Sequence, residues 1–494
     1  FLTEMWERFS YYGMRGLLVV YLTQHFLFSD EKSSLLYGAY TALVYVMTII
    51  GGSLADRYLG ARKAVTFGAI LLTFGHFGMA FEGEGSRQLI SHGDNQYEII
   101  LDGRGGDARQ QIVTDLGSSY VSFTETSMAI EKPESVGLPA TIDRDKLTIS
   151  VERDELYLNI LYLSLALIIA GVGFLKANIS TIVGSLYGFG DSRRDSGFTI
   201  FYMGINIGGF LAPILCGYIG EKYNWHYGFG LAAIGMLLGQ GVYFWGQKYL
   251  VHVGNKMSVK NEADRVLLER PLTKIEKDRV KVLLISFLLI ILFWAAFEQA
   301  GGLMNLYASQ KTDRNFFGLF EIPASVFQSV NSFFIITLAT AVGAFWVRWK
   351  KKGKEASSIF KIALGLVIMA LGFGFMAAAS AQYAQEGSSA MYWVILAFLF
   401  HTVGELCASP VSLSYITKLA PLKYASIIMG LYWAATGLGN KVAGKIGELS
   451  QSLGEFEIFL GIAIVWSVIG LLVIAMLKPL KRLSHGAEDG EIAM

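Results

Sequence analysis

Glu4, Glu7 and Arg8 lie close together at the start of a long apolar helix, and Tyr11 and Arg15 follow them. Residues three and four apart share one face of a helix, so these side chains lie near one another. An ionisable group near the centre of a spanning helix costs roughly 2.5–3.5 kcal/mol on insertion scales. Such groups persist mainly where they face a bundle interior or a water-filled path. The run therefore predicts a polar pathway through a membrane.

Three further charges stand alone in apolar stretches: Lys176, Glu298 and Glu405. Apolar sequence extends well beyond Lys176 on both sides, so its ammonium cannot easily reach either membrane surface. It needs a carboxylate partner or must lose its proton. Glu298 and Glu405 can balance Lys176 and Arg15, and such pairs can form in one conformation and break in another. A permanent structural ion pair is the alternative.

Neutral polar and aromatic side chains occur at similar depth. Asn206 and Asn331 can bind a solute or merely join helices by a hydrogen bond. Five aromatic residues can line a pocket or serve as core packing: Tyr11, Tyr12, Tyr45, Trp294 and Trp433.

Several catalytic motifs are missing from the sequence. It contains no G-x-x-x-x-G-K-[ST] phosphate loop, so ATP is not the expected energy source. It contains no H-E-x-x-H, G-x-S-x-G or Cys/His cluster, so no enzyme and no cofactor are expected. Buried carboxylates beside cations instead favour coupling to protons, because a carboxylate that protonates releases its cationic partner. The energy source is then a proton gradient.

The composition is that of a membrane protein. Hydrophobic residues make up 53% and charged residues 16% of the 494 residues, and the mean hydropathy is +0.45. Soluble domains carry about 25% charge. Cys216 and Cys407 both lie in apolar stretches and are expected to be reduced core residues.

The chain divides into two sets of six apolar segments, each close to the roughly 20 residues that a spanning helix needs. A linker at 251–280 separates an N-terminal half (1–250) from a C-terminal half (281–480), and a tail follows (481–494). Lys and Arg are concentrated in alternate loops, which predicts cytoplasmic termini in a cell membrane. The spans are 4–28, 33–55, 62–81, 156–187, 196–220, 228–249, 281–308, 323–347, 357–380, 390–417, 425–447 and 456–478.

Residues 82–155 are polar and rich in Gly and Asp, with short alternating runs such as 97–101 and 147–151. We predict a small, β-rich external insertion after the third helix. It is either a binding module or a decorated loop.

The division into six and six helices resembles that of the major facilitator superfamily. The segment from Gly51 to Lys63, G-G-S-L-A-D-R-Y-L-G-A-R-K, also resembles the signature of that superfamily between its second and third helices. The resemblance implies an all-α integral membrane fold of 12 transmembrane helices.

Four motifs together resemble the proton-dependent oligopeptide transporter (POT/PTR) family. The first helix has Glu4-x-x-Glu7-Arg8-Phe9-x-Tyr11-Tyr12-Gly13, and the fifth has Phe201-Tyr202-x-x-Ile205-Asn206-x-Gly208. The seventh has Phe293-Trp294 followed by Phe297-Glu298-Gln299, and the tenth has Gly404-Glu405 and Ser409-Pro410. The resemblance implies uptake of di- and tripeptides with protons by alternating access.

The family also implies roles for the buried residues. Glu4, Glu7, Arg8, Lys176 and Glu298 would couple transport to protons. Arg15 and Lys176 would hold the peptide carboxylate, and Glu405 would hold its ammonium. The gate pairs would be Arg15 with Glu298 and Lys176 with Glu405. The remaining peptide-binding positions are Tyr11, Tyr12, Tyr45, Asn206, Trp294, Asn331, Ser409 and Trp433.

The expected partners are di- and tripeptides, protons and the lipid bilayer, with no nucleic acid and no ATP. One alternative is a transporter of the same fold for another solute, such as nitrate or a peptide-mimetic. Another is a sensor that binds peptides through the insertion without moving them.

Overall fold

The computed structural model describes residues 1–93, 95–102, 109–124, 126–186, 193–253, 271–421 and 425–487. Residues 254–270 of the predicted linker and 488–494 of the predicted tail lie outside them. Within the described chain, twelve helical segments are long enough to span a membrane, and nine of these are also apolar over a full membrane-spanning window. The predicted twelve-helix architecture is confirmed.

The first half contains six spanning segments, the fifth of which has a short continuation. They are α1 (Leu2–Gln24), α2 (Asp30–Leu54), α3 (Ala61–Met79), α4 (Glu155–Ser185), α5 (Arg193–Ala212) with α6 (Tyr218–Lys222), and α7 (Trp225–Gly246). Pro213 lies where α5 passes into α6, in a π-helical turn at Pro213–Gly217. Proline has no N–H for the helical ladder, which explains the irregular turn.

The second half repeats this arrangement and ends in a short helix. Its helices are α8 (Lys274–Phe297) with its continuation α9 (Leu303–Lys311), α10 (Gln328–Lys351), α11 (Ser358–Glu386), α12 (Met391–Leu419), α13 (Ala425–Leu453), α14 (Glu455–Ala475) and α15 (Leu477–Ser484). The start of α8 falls inside the segment that the sequence assigns to the linker. A capping box explains this start: Thr273 accepts from the backbone of Glu276, whose side chain accepts from the backbone of Thr273.

The two halves meet along α2 with α13 and along α5 with α10. At the first of these contacts, a Cβ atom on Gly38 would lie 2.6 Å from the Cα atom of Gly444, so the helices touch through their backbones. Cys216 and Cys407 are buried and free, as predicted. We call the end of the bundle that carries residues 80–154 the insertion end. The opposite end, where α7 ends and α8 begins, is the linker end.

The predicted insertion does contain a β-sheet, with strand order β6-β5-β4-β3-β2-β1-β7. The strands are β1 (Arg87–His92), β2 (Asn95–Asp102), β3 (Arg109–Thr114), β4 (Gly117–Phe123), β5 (Ser127–Ile130), β6 (Thr141–Asp143) and β7 (Leu147–Glu152). Every pairing is antiparallel. The short strands β8 (Thr312–Asp313), β9 (Asn315–Phe316), β10 (Phe320–Glu321) and β11 (Ser389–Ala390) lie elsewhere, in the second half.

The sheet of the insertion must curl. β6 and β7 form its opposite edges, yet only the turn Arg144–Lys146 joins them. Three residues reach at most about 10 Å, so the two edges lie close together. The curled sheet encloses its own apolar core, formed by Ile90, Ile99, Ile112, Val121, Met128, Ile130, Val136 and Ile142.

Candidate functional site

A buried ion pair joins the two halves near the insertion end. Arg15 Nη2 lies 2.8 Å from Glu298 Oε1. Tyr37 links both groups, because its hydroxyl accepts from Arg15 Nε at 2.6 Å and donates to Glu298 Oε1 at 2.8 Å. Each of the three residues is at most 7% exposed. The predicted Arg15–Glu298 gate pair is therefore formed in this structure.

A break in the seventh spanning segment positions Glu298. α8 ends at Phe297, a single 3₁₀ turn occupies Glu298–Ala300, and α9 starts at Leu303. At Gly301 a Cβ atom would lie 1.8 Å from the Tyr37 hydroxyl, so a larger residue there would displace the Tyr37 side chain. The break thus lets the Tyr37 side chain approach the backbone beside the carboxylate.

Further hydrogen bonds hold the halves together at the insertion end. Asn305 donates to the carbonyl of Gly16 at 3.1 Å. The buried carboxylate of Glu221 accepts from the backbone of Ala324 at 3.0 Å and of Ser325 at 2.9 Å. These contacts cross between the halves, so this end of the bundle is closed.

The first-helix charges form a second buried cluster. Arg8 forms a hydrogen-bonded ion pair with Glu7, with Nη2 2.6 Å from Oε1, and Arg8 Nε lies 3.4 Å from Glu4 Oε1. Oε2 of Glu4 is buried and has no hydrogen-bond partner in the described chain. The guanidinium also lies 4.9 Å from the ring centre of Tyr11. One cation therefore faces two carboxylates.

Lys176 lies on aromatic rings instead of on a carboxylate. Its Nζ atom is 4.1 Å from the ring centre of Tyr45 and 5.6 Å from that of Trp433. Those two rings stack at 5.9 Å, and Trp294 lies 6.4 Å from Tyr45. The structure thus brings together Lys176 and three of the predicted pocket aromatics.

Glu405 is held by a neutral donor on a facing helix. Asn331 on α10 donates to Glu405 Oε2 at 2.9 Å and to Thr402 Oγ1 at 3.0 Å. Within the described residues, Glu405 forms no ion pair, and neither does Lys176. Of the two pairs that the resemblance implies, Arg15 and Glu298 are therefore in contact in this structure, whereas Lys176 and Glu405 are not paired with each other.

The other predicted residues take less central positions. The ring centre of Tyr12 lies 5.6 Å from the guanidinium carbon of Arg15. Asn206 donates to the carbonyl of Tyr202 in its own helix, at 2.9 Å. Ser409 lies one turn beyond Glu405 on α12 and is half-buried.

Sequence reasoning missed Tyr37 and Thr402. Tyr37 is one of several aromatics in an apolar helix, and only the approach of α2 to Glu298 gives it a partner. Thr402 lies three residues before Glu405, a spacing that would have suggested a shared helix face. Neither residue carries the charge that drew attention to the others.

Two six-helix halves with charged side chains buried between them define a multi-pass membrane transporter. A family model described as the POT family (PTR2) matches residues 62–275 and 272–456. The chain belongs to this family, as the four motifs predict. Its fold is accordingly the major facilitator fold.

Curated relatives align over nearly the whole chain. The chain is 30% identical to "Uncharacterized transporter YclF" of Bacillus subtilis, covering 98% of this chain and 94% of that protein. It is 29% identical to "Peptide transporter YePEPT" of Yersinia enterocolitica, with 100% and 96% covered. It is 28% identical to a "Di-/tripeptide transporter" of Lactococcus lactis, with 98% and 95% covered.

Solved structures show the same fold. A crystal structure of the peptide transporter POT with sulfate superposes with a TM-score of 0.77 at 28% identity, covering 98% of this chain and 94% of that one. A POT family transporter in complex with a thioalcohol-conjugated peptide gives a TM-score of 0.76 at 26% identity, with 97% and 95% covered.

Proposed function

We propose that this protein is a symporter that imports di- and tripeptides together with protons by alternating access. The observation that carries the proposal is a pair of opposite charges without ionic partners in the described central site. Lys176 rests on aromatic rings, and Glu405 is held by the amide of Asn331. A zwitterion supplies both missing partners, whereas a simple anion such as nitrate supplies only one. The relatives named as peptide transporters support this choice.

In this proposal Glu405 binds the peptide ammonium, and Lys176 with Arg15 binds its carboxylate. The aromatic wall of Tyr45, Trp294 and Trp433 excludes water around the peptide, which strengthens both charge contacts. Charges fixed at both ends would set peptide length and leave the side chains loosely selected. Tyr11, Tyr12, Asn206, Asn331 and Ser409 complete the proposed peptide site.

Proton coupling would act through the buried carboxylates, with no cofactor. Protonation of Glu298 removes its attraction for Arg15 and so releases the gate at the insertion end. The cluster of Glu4, Glu7 and Arg8 has one carboxylate more than it has cations, so it is suited to accept a proton. Breaking a buried ion pair costs about 3–5 kcal/mol, enough to shift a two-state equilibrium strongly.

The structure is closed at the insertion end, and its Lys176–Glu405 pair is open. We assign the linker end to the cytoplasm of a cell membrane, because basic residues such as Arg62, Lys63 and Lys350 lie at that end. Both termini then lie inside. On this assignment the structure represents the conformation that releases peptide into the cell.

Uptake of labelled dialanine into proteoliposomes tests the proposal. An inward proton gradient should drive accumulation above equilibrium, and a protonophore should abolish it. Excess nitrate should compete poorly, and excess unlabelled dialanine should compete well. Uptake of nitrate by a protein that does not take up dialanine would instead support the alternative of an anion transporter.

A further inference from the structure

A cavity outside the transport path lies between the curled sheet and the closed end of the bundle. Its volume is about 880 Å³. Its floor is formed by the end of α1, the connection to Asp30 at the start of α2, the end of α9 and the start of α7. Its wall is formed by β1, β2 and β3. Nine residues of α1, about 13 Å of helix, separate its edge at Gln24 from Arg15 in the closed gate.

The wall and the floor are bound firmly to each other. The Arg153 guanidinium donates to the carbonyls of Phe26 at 2.6 Å and Leu27 at 2.7 Å. At the other root of the insertion, the backbone of Ser86 donates to the carbonyl of His25 at 2.9 Å. The cavity is therefore a built feature of the fold and does not depend on a loose contact between two bodies.

The cavity is acidic. Among the described residues that line it, four are carboxylates (Asp30, Glu82, Glu84 and Glu98) and one, Arg87, is a guanidinium. Arg87 pairs with Glu84 at 3.1 Å and approaches Glu98 to 3.7 Å. Asp30 accepts hydrogen bonds from the neutral amide of Gln310. The lining retains an excess of negative charge.

Glu82 provides a separate indication of a ligand. The residue is only 8% exposed, and His226 Nδ1 lies 3.1 Å from its Oε1 atom. Its Oε2 atom is buried and has no hydrogen-bond partner in the described chain. An ionised carboxylate accepts up to about four hydrogen bonds, and a buried acceptor without a donor is costly. An alkylammonium or guanidinium group in the cavity would supply the missing donor.

We propose that this cavity is an outer binding site for the cationic group of a peptide, an ammonium or a guanidinium, which Glu82 anchors before the gate opens. The inference rests on peptide transport as the proposed function and adds a substrate preference to it. A cleft lined by one sign of charge raises the local concentration of the opposite charge. Cationic peptides would therefore reach the gate more often than neutral or acidic ones.

The test measures KM for lysyl-alanine and dialanine uptake in proteoliposomes. The variant Glu82→Gln keeps the shape of the side chain and removes the charge. We expect its KM for lysyl-alanine to rise about threefold or more, with kcat unchanged. Glu131→Gln, the same change on the outer surface of the insertion, is the control and should leave KM unaltered. A rise for lysyl-alanine alone would support the proposed site, and an equal rise for dialanine would overturn the preference for cationic peptides.

A second variant tests the proposal independently, in case Glu82→Gln misfolds. Gln110→Lys adds a cation to the cavity wall on β3 without touching the buried contacts of Glu82, and it should also raise KM for lysyl-alanine. Unchanged KM values in both variants would overturn the proposal.

Direct binding separates this proposal from the proposed function. Equilibrium dialysis with labelled lysyl-alanine would use purified protein that carries Glu405→Gln, which weakens the central ammonium site. Residual binding should be present in this protein and should fall further when Glu82→Gln is added. Equal binding with and without Glu82→Gln would refute the outer site, even in a chain that transports no peptide.

Discussion

Glu405 is the carboxylate proposed to hold the peptide ammonium in the central site, so its charge should dominate affinity there. Glu405→Gln keeps a side chain that can still bond to Asn331 on α10. A hydrogen bond to a charged group contributes about 1.5–3 kcal/mol, so we expect dialanine affinity to fall about tenfold or more. Titration calorimetry on purified protein measures this. An unaltered affinity would remove Glu405 from the peptide site.

We expect Lys176 to be required for accumulation, because the proposed mechanism gives it the peptide carboxylate. Lys176→Ala should abolish proton-driven concentration of dialanine in proteoliposomes. Lys281→Ala is the matched control, since Lys281 pairs with Asp278 at the start of α8 and its side chain is 63% exposed. A Lys176→Ala protein that still concentrates peptide against its gradient would exclude Lys176 from the mechanism.

The break after α8 positions Glu298, which the proposed mechanism uses as the carboxylate of one gate. Glu298→Gln removes the ionic partner of Arg15 and should shift the population toward opening at the insertion end. Spin labels at Glu31 on α2 and at Leu319 in the β9–β10 hairpin, both exposed, would report the separation of the halves. Longer distances are expected in Glu298→Gln. The control Glu321→Gln weakens a partly buried pair with Arg314 that lies within the second half. If it gave the same shift, the effect could not belong to the Arg15–Glu298 pair.

The crossing of α2 with α13 depends on Gly38. A Cβ atom there would lie 2.6 Å from Gly444 Cα and 3.0 Å from the carbonyl oxygen of Asn440. Overpacking of this kind costs about 1–3 kcal/mol, so Gly38→Ala should lower the melting temperature by several degrees. Gly241→Ala on α7 meets no atom within 4 Å and should melt like the wild type. Equal melting temperatures for the two variants would show that α2 and α13 can separate enough to accept a larger residue at this contact.

The insertion can be deleted from the whole molecule because its two ends lie side by side. Its first and last strands pair directly, Arg87 opposite Glu152, so a short turn can replace residues 87–152 without moving α3 or α4. We expect the shortened protein to transport dialanine with unchanged kcat. Loss of peptide binding on this deletion, with binding unaffected by Glu405→Gln, would instead support the sensor alternative.

The sequence was sufficient for the features that rest on charge and hydropathy. Glu4, Glu7, Arg8 and Arg15 are conspicuous in an apolar helix, and the spans follow from the lengths of the apolar segments. The contacts of Tyr37 were not predictable, because they depend on where α8 breaks and how α2 approaches it. The curl of the insertion also needed the pairing of β1 with β7, which joins segments about 60 residues apart in the chain. In the proposed mechanism, which of the two ion pairs forms depends on the conformation, and the sequence alone does not select one.

The coupling of peptide movement to protons is tested most directly by acidification of the interior of proteoliposomes. Proteoliposomes would hold a pH-sensitive dye and an inside-negative potential, and dialanine would be added outside. We expect acidification that requires both dialanine and the protein, and that is lost in Glu7→Gln at the α1 cluster. Dialanine uptake without acidification, in a preparation shown to be folded, would contradict proton coupling.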